Sequence, residues 1–209
     1  MYNLYYLPGS CSMAVHIALI EIKADYQLIN VSSPDGTRPK DFLKINPRGS
    51  VPTLEFQDNV IREGMAILTH LLDNQENNLL PKNGLLRTQI LEWLSFANST
   101  LHPLYGRLFF MKKNFGDKAN ENPVMELTIK QIQKYWDEIE EIIKNNDYLL
   151  GNQIYICDIL IAVIANWSNY FGSSIIFQEN TKKYLSRVIS YPSYAKAIEI
   201  EKIEYLANN

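Results

Sequence analysis

Cysteine is scarce in this 209-residue chain: Cys11 and Cys157 are the only two, and they form no CxxC pair. A disulfide framework and an internal dithiol switch are therefore excluded, and any thiol chemistry must pair one cysteine with an external sulfur. Clustered Lys and Arg are also missing, and at a net charge of −3 the chain lacks the basic surface that nucleic acid requires. No apolar run reaches the length of a membrane span, and Met1-Tyr2-Asn3-Leu4 has neither the basic start nor the apolar middle of a secretory signal. The expectation is a cytoplasmic protein with no membrane partner. Its three histidines show no HxxxH spacing and there is no carboxylate cluster, so no metal is expected. Gly-rich phosphate loops, nucleophile elbows and paired catalytic carboxylates are absent too.

What the chain does have is 46% apolar and 21% charged residues, enough for one large or two modest domains. Strand and helix signals alternate up to about residue 80 and give way to helix after it. This predicts an α/β domain over 1–80 and an all-α domain over 87–209, joined by the polar, breaker-rich stretch Asn74 to Gly84. Tyr2 to Leu7, Ala14 to Ile22 and Tyr26 to Val31 read as strand, helix and strand, a βαβ unit.

Cys11 sits where the turn Pro8-Gly9-Ser10 becomes that first helix, with Ser10 or Ser12 as the N-cap. Free amide hydrogens and the positive end of the helix dipole would favour a thiolate there. The other reading, a small buried hydrophobe, fits Cys157 within its apolar run better than it fits Cys11 between two serines. His16, five positions on, falls roughly 140° round an ideal helix from the thiol and reads as structural.

Two further stretches of the first domain carry candidate chemistry. In Asn46-Pro47-Arg48-Gly49-Ser50-Val51-Pro52, Pro52 heads a strand that turns at Asp58-Asn59 into Val60-Ile61-Arg62. From periodicity alone Pro52 is an ordinary trans proline; a cis bond would offer the Val51 backbone to an extended peptide. Glu63-Gly64 then opens a helix. Glu63 either complements the dipole or accepts a ligand ammonium, while Gly64 and the first amides form an anion site.

In the helical half, Leu86 to Leu101 keeps helical spacing until Pro103 forces a kink or break. His102, with Ser99, Thr100 and Tyr105, is a polar interruption of the kind that faces a cleft; a hydrogen-bonded core histidine is the alternative. Val124 to Asn145 is a long amphipathic helix, and Ile159 to Ala165 a buried one with Asp158 at its start.

Taken in order, Tyr5 to Ser12, Asn46 to Pro52, Glu63 to Ile67, Glu92-Trp93-Leu94 with Leu101-His102, and Gly151 to Asp158 resemble the cytosolic glutathione transferases, most of all the bacterial beta class, over nearly the whole chain. The resemblance implies a thioredoxin-like N-terminal domain followed by an all-α C-terminal domain. It also implies a homodimer that conjugates glutathione, as co-substrate and with no cofactor, to small hydrophobic electrophiles in detoxification.

It further implies that Val51-Pro52 is cis and that Val51 pairs with the cysteinyl part of glutathione. Glu63 and Gly64 would hold its γ-glutamyl end, and Cys11 would meet its sulfur. Ser99 and His102 would arrive from the partner subunit, with Cys11 and His102 as the catalytic pair. Tyr105, Phe109, Phe110 and Trp167 would line an electrophile pocket between the domains. Thiol–disulfide exchange or peroxide reduction through Cys11, and a non-catalytic interaction module, are the alternatives. The chain departs from the class at Ser95 (usually Asn), Pro103 (usually Lys) and Tyr155 (usually Ser or Thr). The loop after Val31 is shorter and lacks the usual lysines, leaving Arg38 or Lys40.

Overall fold

β1 (Tyr2–Tyr6) pairs in parallel with β2 (Tyr26–Asn30) across α1 (Ser12–Glu21), and β3 (Thr53–Phe56) runs antiparallel on the other side of β1. β4 (Asn59–Arg62) closes the sheet in the order β2-β1-β3-β4. Leu4 and Leu54 face each other in register and are fully buried. Such a side chain contributes about 1.5 to 3 kcal/mol when removed from water. This computed structural model describes residues 1–208.

The β3–β4 turn differs from expectation by one residue. Gln57 and Asp58 form it, with φ of 47° and 62°, and Asn59 already pairs with Phe56. Positive φ at both central positions is the turn geometry that follows the natural twist of a hairpin. Asn59 Nδ2 donates to the Gln57 carbonyl at 2.8 Å and holds the turn from its far side.

The chain divides into two compact units, Met1–Thr88 with Ser190–Glu204, and Gln89–Ile189 with the residues from Tyr205. The first holds the sheet, α1, the short α2 (Lys40–Ile45), α3 (Gly64–Asp73) and, from the far end of the sequence, α9 (Pro192–Glu201). α1 is buried from Ser12 to Leu19 because α3 and α9 both pack on it. This accounts for a helix whose apolar residues run all round rather than along one stripe.

The second unit contains most of α4 (Gly84–Phe96), then α5 (His102–Phe115), α6 (Pro123–Ile143), α7 (Ile156–Ala165) and α8 (Glu179–Ile189). Between α4 and α5 the chain makes a π-helical turn, Ala97–Leu101, where a kink or break was expected. Pro103 offers no amide hydrogen, and the wider turn absorbs that gap while the helix continues. α7 is buried along its whole length, as its composition predicts.

Two buried carboxylates hold helix starts in this unit. Asp158 accepts from Tyr155 N (2.8 Å), Leu149 N (3.1 Å) and the Tyr184 hydroxyl (3.1 Å). The Asp158 half of the capping box is therefore formed although Tyr155 replaces the usual hydroxyl residue. Glu140 of α6 accepts from the amide and side chain of both Asn180 and Thr181 at the start of α8. Burial alone would raise Glu140, but these four donors outweigh it and hold the carboxyl below its ordinary range.

For Asp158 burial wins, and despite its donors the carboxyl is pushed up from 3.8 to about 6. The folded protein thus binds a proton more tightly than the unfolded chain, so this group's contribution to stability falls as pH rises from about 4 through 6. Asp158→Asn turns an amide NH2 toward one of the donors. Urea denaturation should show a loss of about 1 to 3 kcal/mol at pH 7 and a flatter dependence on pH between 4 and 6.

Candidate functional site

Cys11 is the N-cap residue of α1, and Ser12 is the first helical residue. The Ser10 hydroxyl accepts from Ser12 N at 3.3 Å, while Ser12 Oγ donates to the Leu7 carbonyl and accepts from the Leu7 amide, both at 3.2 Å. These serines tie the end of β1 to the start of α1. The Cys11 thiol donates to the Val51 carbonyl at 3.4 Å. Its ionisation runs opposite to the sequence-based expectation: burial pushes the thiol up to about 11. The backbone N–H groups of Cys11 and Ser12 pull it down without prevailing, and the negative Glu63 adds to the rise. Helix-end electrostatics are present, but the desolvation of the sulfur is larger.

The turn before Cys11 is held by a residue that sequence reading missed. Glu201, at the last position of α9, has a fully buried side chain. Its Oε2 accepts from Gly9 N at 2.9 Å and its Oε1 meets His16 Nδ1 at 2.7 Å. With Nδ1 donating to the carboxylate, His16 Nε2 accepts from the Tyr26 hydroxyl at 3.1 Å. Gly9 has φ of +67°, and a Cβ there would lie 3.1 Å from Ile203 Cδ1. Glycine suits both the left-handed backbone and the close approach of the C-terminal segment.

Next to Cys11, which it meets at the Val51 carbonyl, the loop 46–52 is braced from within. Asn46 is fully buried; its Nδ2 donates to the Ser50 carbonyl and to Thr53 Oγ1, both at 2.9 Å. Its Oδ1 accepts from Arg48 N (3.2 Å) and Arg62 Nε (3.1 Å), and Arg62 also reaches the Ile45 carbonyl at 2.7 Å. Val51-Pro52 is cis. Glu63, the N-cap residue of α3, has φ of 71° and does not cap the helix with its side chain, which pairs with Arg48 Nη1 at 3.0 Å. A left-handed non-glycine residue outside a turn costs about 1 to 3 kcal/mol, and such strain clusters at ligand clamps and active sites. Cys11, Val51, Glu63 and Gly64 thus gather in the first unit.

Ser99 and His102 belong to the second unit. Ser99 lies in the π-helical turn and donates to the Ser95 carbonyl at 2.6 Å; His102 begins α5 and stands edge-on to Trp167 with ring centroids 4.9 Å apart. Burial lowers the His102 pKa, so the imidazole is neutral at pH 7. Tyr105 does not line a pocket: it is wholly buried, with its hydroxyl 2.6 Å from Ser168 Oγ and accepting from Trp136 Nε1 at 2.9 Å. Phe109 instead stands partly exposed among Trp167, Tyr170 and Phe171, and Phe110 is exposed. Among the described residues no His, Cys, Asp or Glu group is arranged to hold a metal, and no helix is long and apolar enough to cross a membrane.

Asn46 had a sequence signal, since it opens the stretch that ends in Val51-Pro52. Glu201 had none, because only folding brings it across 192 positions to Gly9. Removing it leaves buried donors without a partner. Glu201→Ala should lower stability by about 3 to 5 kcal/mol in urea denaturation, and Glu201→Gln by less, since its single acceptor oxygen serves one donor fully. A variant as stable as the parent would show that the turn does not depend on this carboxylate.

The glutathione S-transferase N-terminal domain model matches residues 1–73, and the C-terminal domain model matches residues 92–192. Glutathione S-transferase GstA of Escherichia coli O157:H7 is 26% identical over 208 residues, covering 97% of this chain and all of the relative. Among solved structures, a sphingomonad glutathione S-transferase complexed with glutathione is 26% identical, with a TM-score of 0.79 over 97% of this chain and 100% of that one. The bacterial beta-class enzyme of Sphingomonas chungbukensis is also 26% identical, with a TM-score of 0.78 over 95% and 98%. Two family domains in the right order, on a chain whose strand-and-helix unit carries the cysteine turn and whose second unit is helical, settle the assignment: this chain belongs to the glutathione S-transferase family.

Proposed function

We propose that this protein conjugates the thiol of glutathione to small hydrophobic electrophiles, as a cytoplasmic homodimer with a role in detoxification. The observation that carries the proposal is the Cys11 thiol hydrogen-bonded to the Val51 carbonyl at the head of α1, with Glu63 and Gly64 of α3 on the same unit. A cysteinyl peptide lying along Val51 donates its own N–H to that carbonyl. The Cys11 S–H is then released and turns to the incoming sulfur. Hydrogen bonding from this thiol and from the amide end of α1 favours loss of the glutathione thiol proton to solvent. The thiolate then forms the C–S bond while the electrophile's leaving group, such as a halide, departs with the electron pair of its bond to carbon. Glu63 takes the γ-glutamyl ammonium, and the first amides of α3 take its α-carboxylate.

In the same scheme Ser99 and His102 act on the tripeptide from the second subunit of the dimer, His102 as a neutral imidazole able to accept a hydrogen bond. The exposed rings of Phe109 and Tyr170, with the buried Trp167 behind Phe109, supply apolar contact for the electrophile. Two free cysteines in unlike settings agree with a reducing compartment.

The raised Cys11 pKa favours conjugation over thiol transfer. With a pKa of about 11, roughly one molecule in ten thousand carries a Cys11 thiolate at pH 7, which is slow for disulfide exchange. Cys11→Ala should therefore retain conjugation of an activated aryl halide to within about fivefold, the change expected when one neutral hydrogen bond is lost. Alkylation of wild-type Cys11 should accelerate with pH up to a midpoint above 10, because only the deprotonated form reacts. An alkylation midpoint below 8, or conjugation abolished in Cys11→Ala, would place the thiolate of Cys11 itself in the chemistry.

A further inference from the structure

Arg48 and Glu63 form an ion pair at the start of α3. Both side chains are about two-thirds exposed, so the pair adds little to stability. Its two anchor points are nonetheless fixed independently. Arg48 rises from a loop whose buried Asn46 is bonded on both sides, to Ser50 and Thr53 by one atom and to Arg48 N and Arg62 by the other. Glu63 is held at a left-handed backbone position at the start of α3. The result is a cation and an anion 3.0 Å apart, on braced backbone, at the positive end of a helix. Glu63 is also near enough to the Cys11 thiol for its charge to raise the thiol's pKa.

An α-amino acid end carries the complementary arrangement, an ammonium and a carboxylate on one carbon. We infer that Arg48 is a specificity residue that binds the α-carboxylate of the γ-glutamyl end of glutathione. The Arg48–Glu63 pair opens to grip both charges of the ligand, Glu63 taking the ammonium. This inference rests on the glutathione site proposed above. One weak intramolecular pair is exchanged for two charge-assisted contacts, and the guanidinium fork suits a carboxylate better than a lysine would. The first amides of α3 leave acceptor capacity on that carboxylate for a charged donor, and Arg48 is the cation already in contact with Glu63. Selection then acts on the zwitterion. A ligand with the ammonium alone occupies Glu63 and leaves Arg48 unopposed, and one with the carboxylate alone must compete with Glu63 for the guanidinium.

The test is calorimetric titration of wild type, Arg48→Ala and Arg48→Lys with glutathione and with 4-aminobutanoyl-cysteinyl-glycine, which keeps the ammonium and lacks the α-carboxylate. Thermal melting confirms that each variant is folded. Arg48→Ala should weaken glutathione about tenfold, the worth of one charged hydrogen bond, and leave the decarboxylated analogue bound as well as before or more tightly, with Arg48→Lys in between for glutathione. Equal weakening of both ligands would overturn the inference by showing that Arg48 only holds Glu63 in place. Tighter glutathione binding by Arg48→Ala would overturn it by showing a competitor for Glu63. Wild type that binds neither ligand would overturn the glutathione site itself. Wild type that binds glutathione with no effect of Arg48→Ala would overturn only the role of Arg48.

Discussion

A carboxylate with no access to water decides where the cysteine turn lies. Glu201 satisfies both its oxygens on the first unit, one with the Gly9 amide and one with the His16 ring. Gly9 belongs to the turn and His16 to the middle of α1, so a single side chain sets the spacing between the loop that precedes Cys11 and the helix that follows it. The serine bonds around Leu7 add the third tie, to the end of β1. A buried charge tolerates little displacement, because each lost contact exposes the full desolvation penalty of the group left behind. The end of α9 is therefore as much a part of the cysteine site as the residues beside the thiol.

At the thiol two effects oppose each other, and their sizes decide the chemistry. Amides at the start of α1 favour a negative sulfur, whereas packing removes the water that would solvate it and Glu63 brings a like charge. Desolvation is the larger, and Cys11 is a hydrogen-bond donor at neutral pH. In the proposed scheme a donor at this position stabilises the thiolate of the bound ligand, which is the requirement of conjugation. A low-pKa cysteine would instead compete as a nucleophile.

The helical unit repeats the device of a buried carboxylate, with a different balance. Asp158 and Glu140 each collect donors from the start of a helix, α7 and α8 respectively. Four donors outweigh burial for Glu140, while burial outweighs them for Asp158. Two buried carboxylates thus end with opposite shifts. The replacement of the usual hydroxyl residue by Tyr155 is accommodated because Asp158 draws on Leu149 and Tyr184 as well as on the Tyr155 amide.

The sequence by itself determined the division into an α/β part and a helical part, the cysteine at a helix start, the buried α7 and the motifs of the family. All of these are local: hydrophobic period, breakers and caps act over a few residues and leave their mark there. Tertiary structure alone decided that α9 returns to the sheet-bearing unit, that Tyr105 bonds Ser168 and Trp136 in the core, and that Pro103 is met by a π-helical turn. It also decided the protonation of Cys11. A helix dipole can be inferred from a cap, but desolvation depends on every group packed round the sulfur, and Val51 and Glu63 come to it from 40 and 52 positions away. Pattern carries short-range preferences, whereas burial and long-range pairing exist only once the chain has closed on itself.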